Sequence, residues 1–129
     1  MKEFLVSRIH SFRHAFHGWG YVLRTQRNAW IHSVIATAVF IVGLWIGLSP
    51  HDWAVIILTG AMVFAAEFMN TAIEAVVDLA TSEHHPLAKI GKDVGAAAVL
   101  VAAMAAVLVG LLILGPPLWL KLLPLISNL

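Results

Sequence analysis

The sequence predicts an all-α integral membrane protein, with an N-terminal amphipathic surface helix followed by three transmembrane helices. Two observations carry that expectation. Of 129 residues, 60% are hydrophobic and 12% charged, with a mean hydropathy of +0.89. A soluble domain of this size would lack the polar side chains to cover its surface. Three apolar runs, 29–48, 53–80 and 94–114, also reach the ~20 residues that cross about 30 Å of hydrocarbon as helix. One membrane domain over residues 1–129, with no separate soluble module, is the economical organisation.

Residues 4–27 are too polar to span. Phe4, Leu5, Ile9, Phe12, Phe16, Trp19 and Leu23 recur at three- and four-residue steps, with Arg and His among them. That pattern predicts a helix lying on a leaflet, with Gly18 and Gly20 as candidate bends. Five of the eight Lys and Arg residues (Lys2, Arg8, Arg13, Arg24 and Arg27) precede Ile31, against a single acid, Glu3. With such apolar neighbours this basic start fits anionic lipid headgroups and argues against nucleic acid. The first long apolar run starts only near Ala29 and continues for a full membrane width, so no cleaved leader is expected.

After the first span, Gly47, Ser49, Pro50, His51 and Asp52 predict a short turn that returns the chain antiparallel. The third span is expected to stop at Gly115, Pro116 and Pro117. The basic N-terminal segment and the loop with Lys89 and Lys92 then share one side, which the positive-inside rule assigns to the cytoplasm. Lys121, beside Trp119, is a small contrary vote that reads as an interfacial snorkelling residue. The chain has no cysteine, which excludes disulfides, thiolate nucleophiles and Cys-ligated metals.

The second span is the informative one. Glu67, Asn70, Glu74 and Asp78 interrupt it at spacings of three, four and four, which keeps all four on one side of a helix. A carboxylate at bilayer depth costs about 2.5–3.5 kcal/mol on insertion scales, so the row points to a site that holds cations or moves protons or phosphate. Two carboxylates with an amide between them can accept protons, coordinate Mg²⁺ and orient a hydroxyl. The following loop holds Glu83, His84, His85, Lys89, Lys92 and Asp93. Lys92 and Asp93 are expected at the start of the third span, where free backbone N–H groups favour anions. Together these residues resemble an open clamp for a metal-bound polyphosphate, although no GxxxxGK[ST] loop is present. The competing expectations are a structural polar network inside an oligomer and an ion or proton pathway. His84 and His85 are adjacent and lack the i,i+4 spacing of a helical zinc site. His10, His14 and His17 share a face but read as headgroup contacts. Small residues on the second and third spans (Gly60, Ala61, Ala65, Ala66; 95–98, Ala102, Ala103, Ala105, Ala106) permit close helix contacts, within the chain or between copies.

The strings EFMNTAIEAVVD (67–78) and HPLAKIGKD (85–93), with FRHAFHG (12–18) and NAWIH (28–32), resemble the prokaryotic diacylglycerol kinase family. That family includes the undecaprenol kinases of Gram-positive bacteria, and the HPLAK stretch looks more like that branch. The similarity covers roughly residues 8 to 110. It implies an ATP- and Mg²⁺-dependent kinase of a membrane lipid, undecaprenol or diacylglycerol, in the bacterial cytoplasmic membrane. It also implies a homotrimer whose active sites are shared between subunits at the cytoplasmic interface. By motif, Glu67 matches the residue proposed as base, Asn70 its polar companion and Glu74 a metal ligand. Lys92 and Asp93 match positions near the nucleotide, and Glu83, His84 and His85 a nucleotide-facing loop. Arg8, Arg13, His14 and His17 are weaker candidates for lipid and ATP contacts. One departure stands out: where Gram-positive members present ExNxRIH, this chain has QRNAWIH (26–32). Gln26 therefore replaces the second metal-ligating acid and Trp30 an Arg. Gln offers an oxygen without the charge, so a catalytically impaired, nucleotide-binding or structural homologue is the rival expectation.

Overall fold

The computed structural model describes residues 1–81 and 83–126, which form four helices: α1 (Lys2–Thr25), α2 (Arg27–Ile46), α3 (Pro50–Ala80) and α4 (Pro86–Ile126). The side chain of Leu5, placed on the predicted apolar stripe, lies outside the described residues. So do residues 82 and 127–129 of the predicted 1–129 unit. Gly18 and Gly20 do not interrupt α1; the break falls at Gln26, whose extended backbone (φ −101°, ψ 113°) separates α1 from α2.

Local chemistry fixes the α2–α3 corner. Gly47 takes φ +79°, and the N–H groups of Gly47 and Leu48 both donate to the Gly43 carbonyl, a left-handed C-terminal cap that glycine adopts at no steric cost. Ser49 then caps α3: its Oγ accepts from the Asp52 N–H at 3.2 Å and donates to the Asp52 carboxylate at 2.7 Å. Pro50 sits in the first turn, where its missing N–H costs nothing. Residues 50–52, expected in the turn, therefore belong to the helix, which at 31 residues is about 46 Å long.

The last helix departs further from expectation. It begins at Pro86 rather than residue 94, because a proline suits a first helical turn and the Lys89 N–H already finds the His85 carbonyl at 3.1 Å. Lys92 and Asp93 accordingly lie inside the helix, not at its open N-terminus. Nor does the helix stop at Gly115, Pro116 and Pro117; it runs through them and Pro124 to Ile126. Each proline removes one backbone bond and crowds the preceding turn, a loss that helices at membrane depth tolerate when neighbouring groups support them. Support is present here: Lys121 Nζ donates to the Trp45 carbonyl and lies 5.0 Å from the Trp45 ring centroid, tying the extension to the end of α2.

Three of the helices, α2, α3 and α4, are long and apolar enough to cross a membrane. Burial is inverted relative to a soluble protein. The buried apolar side chains are Val22, Ala29, Val63 and Val99, while Glu67, Asn70 and Thr71 are buried and most Leu, Ile and Phe side chains face outward. Such a surface is stable in hydrocarbon and not in water.

The most extensive contact joins α3 to α4. They run antiparallel, with Val77 against Gly91 and Asn70 against Gly95. At the far end α2 meets α3 where Gly43 lies beneath Trp53, which also packs on Phe40 at a 5.3 Å centroid separation. A Cβ at Gly43 would fall 2.9 Å from the Trp53 ring and 3.0 Å from Leu48. Gly43→Val is expected to destabilise the protein by about 1–3 kcal/mol through overpacking, measured as a lower midpoint of thermal unfolding in detergent.

Candidate active site

The acid row of α3 divides into three environments. Glu67 is 1% exposed and its Oε2 has no hydrogen-bond partner; its backbone carbonyl accepts the Thr71 hydroxyl at 2.9 Å. One turn on, Asn70 Nδ2 donates to Glu74 Oε1 at 3.1 Å, and Gln26 Nε2 donates to Glu74 Oε2 at 3.3 Å. Both oxygens of Glu74 are thus held by neutral amides, one from its own helix and one from the α1–α2 junction. Asp78, another turn on, is exposed and accepts from Lys92 Nζ of α4 at 2.5 Å.

Gly95 sets the depth of this arrangement. It packs directly under the Asn70 amide, whose Oδ1 is buried and unpartnered; any Cβ there would invade the amide oxygen.

The α3–α4 loop forms an open recess of about 640 Å³ lined by Asp78, Glu83, His84, His85, Lys89 and Lys92, among others. Its shape is held locally. The Glu83 N–H donates to Thr81 Oγ1 at 3.1 Å, and the Leu87 N–H donates to His85 Nδ1 at 3.2 Å. Asp93 pairs with Lys89 at 3.3 Å, both largely exposed. The fold therefore brings Glu67, Asn70, Glu74 and Gln26 into one cluster, and Glu83, His84, His85 and Lys92 into a neighbouring recess bridged by Asp78. It does not bring Arg8 or His14 to either. Both are exposed on α1, where the Arg8 guanidinium lies 5.1 Å from the Phe4 ring centroid. Arg13 and His17 are likewise exposed.

Two features escaped the sequence reading. Trp19 of α1 packs against Phe68 and Phe64 of α3 at 5.5 and 6.4 Å, fastening α1 beside Glu67; partners from different helices leave no periodic signature. The second is His32 on α2, whose Nε2 is buried without a partner. The signal for it was available, since His32 is an ionisable residue within an apolar span.

The donor set suits a hard cation that arrives with its own ligands. Among the described residues no three His, Asp or Glu side chains group so as to hold a metal ion. Glu74 supplies a single negative charge, and the Asn70 and Gln26 amides, which turn N–H toward it, would add oxygen donors on rotating. That is the kind of partial shell from which Mg²⁺ is completed by water and substrate phosphates.

A multi-span helical membrane protein with a carboxylate–amide row beside an open recess of mixed charge is the class that fold and site define. Residues 13–114 match the family described as prokaryotic diacylglycerol kinase, and the chain belongs to that family. It is 46% identical over 108 residues to the undecaprenol kinase of Bacillus subtilis, covering 84% of this chain and 88% of that one. It is 47% identical over 109 residues to a diacylglycerol kinase of Synechocystis, of whose length the match spans 62%, under two thirds. Against the diacylglycerol kinase of Escherichia coli K12 the identity is 34% over 96 residues, covering 69% of this chain and 79% of that one.

Gly95→Ala is expected to lower thermal stability by about 1–3 kcal/mol, because Asn70 must move for the methyl to fit. Gly91→Ala meets only Val77 Cγ2 at 3.7 Å, an ordinary contact, and should unfold at the wild-type temperature in the same detergent scan.

Proposed function

We propose that this protein transfers the γ-phosphoryl group of ATP to the primary hydroxyl of a membrane lipid, undecaprenol or diacylglycerol. The observation that carries the reading is the pairing of a fully buried, unpartnered carboxylate oxygen on Glu67 with an amide-held carboxylate on Glu74. Family membership and the kinase names of the relatives support it.

The lipid enters from the side with its chains in hydrocarbon and presents its hydroxyl to Glu67. Glu67 accepts the hydroxyl proton, and Asn70 orients the group. Lys92 neutralises charge on the transferring phosphoryl, while Glu83, His84, His85 and Asp93 contact the nucleotide from the recess and its rim. Arg8 and His14 reach nucleotide or lipid headgroup only if α1 or a neighbouring subunit brings them close. Glu74, with the Gln26 and Asn70 amide oxygens, would hold Mg²⁺, which supplies charge neutralisation on the phosphates when bound. Gln26 differs from a glutamate here in a specific way: a neutral amide can turn either N–H or C=O toward the site, whereas two facing carboxylates repel without a cation between them.

Orientation follows from charge. Arg24, Arg27, Lys89 and Lys92 flank the site end of the helices, which supports a cytoplasm-facing site in the bacterial inner membrane, with α1 lying on that leaflet. A shallow apolar groove along α3 and α4, floored by Ala66, Ala97, Ala98 and Ala105, supports close packing of further copies in a homotrimer that shares its sites.

Labelled γ-phosphate should pass from MgATP to undecaprenol or diacylglycerol in parallel mixed micelles. The Glu67→Gln variant should lose about 10²-fold or more of kcat with folding intact. Turnover of that variant at the wild-type rate would sink the base assignment. Gln26→Glu is expected to lower the Mg²⁺ concentration giving half-maximal rate, because a second carboxylate strengthens the cation site; an unchanged requirement would remove Gln26 from the metal shell.

A further inference from the structure

His32 is half-buried, but its Nε2 is enclosed and unpartnered, and the reaction so far leaves it without a role. It stands in an otherwise apolar stretch of α2, and an ionisable side chain at membrane depth is a functional candidate by default. The antiparallel register of α2 against α3 is fixed at both ends, by the Gln26–Glu74 hydrogen bond and by Gly43 packed on Trp53. Six residues along α2 from Gln26 and seven back along α3 from Glu74 reach the same level, about 10 Å inward. At that level His32 stands opposite Glu67.

Two atoms there, the His32 Nε2 and the Glu67 Oε2, are both buried and both without a hydrogen-bond partner. A buried polar atom left unpaired is destabilising by about 1–3 kcal/mol, so two at one level call for a common explanation. An ionised carboxylate oxygen and an unprotonated imidazole nitrogen are both acceptors. In the tautomer that carries its hydrogen on Nδ1, no bond joins the two atoms until a proton arrives, and the lipid hydroxyl delivers one.

We propose that His32 is the positioning residue for Glu67: its Nε2 accepts a hydrogen bond from the Glu67 carboxyl once that carboxyl holds the acceptor's proton. The inference rests on the kinase reading above. As the hydroxyl oxygen bonds to the γ-phosphorus and ADP leaves, the hydroxyl proton moves to Glu67 Oε2. The new O–H then points at the imidazole. Because the bond exists only after the proton has moved, it favours the reacting state over the resting state and acts on kcat rather than on binding.

The test uses the full-length protein in mixed micelles. His32→Ala should lower kcat by roughly 10- to 100-fold, with KM for ATP and for lipid within about twofold of wild type. His32→Gln, whose amide oxygen can still accept, should recover part of the loss, and added imidazole should partly rescue His32→Ala but not Glu67→Gln. Independently of turnover, the ¹⁵N resonance of His32 Nε2 should shift in Glu67→Gln, whose amide supplies a permanent donor. Wild-type kcat in His32→Ala, or a loss that neither imidazole nor glutamine restores, would overturn the proposal. So would a His32 resonance indifferent to Glu67→Gln. Absence of lipid phosphorylation by the wild type overturns the kinase reading, while the resonance still decides whether His32 and Glu67 form a pair.

Discussion

The polar side chains at the middle of α3, Glu67, Asn70 and Glu74, must be kept inside the protein and away from lipid, and the rest of the architecture follows from that requirement. The lipid offers no hydrogen bonds, so a carboxylate facing it would be destabilising by several kcal/mol. The chain meets the constraint with close approach rather than with bulk. Gly95 lets α4 come down onto the Asn70 amide, and Asn70 in turn holds Glu74. Gln26 reaches the same carboxylate from the single extended residue between α1 and α2. Three helices are thereby tied to one side chain, and the position of α1 follows from its aromatic contacts on Phe64 and Phe68.

The two carboxylates nearest the proposed chemistry are treated differently by their surroundings. Glu74 has both oxygens occupied by neutral donors, which keeps a negative charge in place without cancelling it. Glu67 keeps one buried oxygen free, as does the imidazole of His32 its Nε2. Separate environments for two chemically similar groups are how one site runs a charge-holding and a proton-accepting role together. The end of the bundle at the α2–α3 corner is built differently. There a glycine cap, a serine cap, the Trp53–Phe40 contact and the long-range bond of Lys121 to Trp45 close the corner. The open recess and its exposed loop, at the other end, lack such ties between helices other than the Lys92–Asp78 pair.

The class of fold was legible because it depends on composition and run length alone. Three membrane-length apolar stretches and the row at 67, 70, 74 and 78 needed no knowledge of contacts. The misjudged boundaries were those at prolines. Pro50 and Pro86 start helices and Pro116, Pro117 and Pro124 lie within one, since a proline terminates or begins a helix according to where its missing N–H falls and what supports the turn before it.

Sequence by itself determined which residues share a helix face, because that is set by the 3.6-residue period, and the periodic row on α3 carried most of the site. Tertiary structure decided what each residue meets there. Gln26 bonds to Glu74 across forty-eight positions, Lys92 meets Asp78 across fourteen, and His32 and Glu67 share a level only because α2 and α3 are locked antiparallel at both ends. Such partnerships depend on helix register and interhelical approach, which small residues such as Gly43 and Gly95 permit but no local pattern specifies.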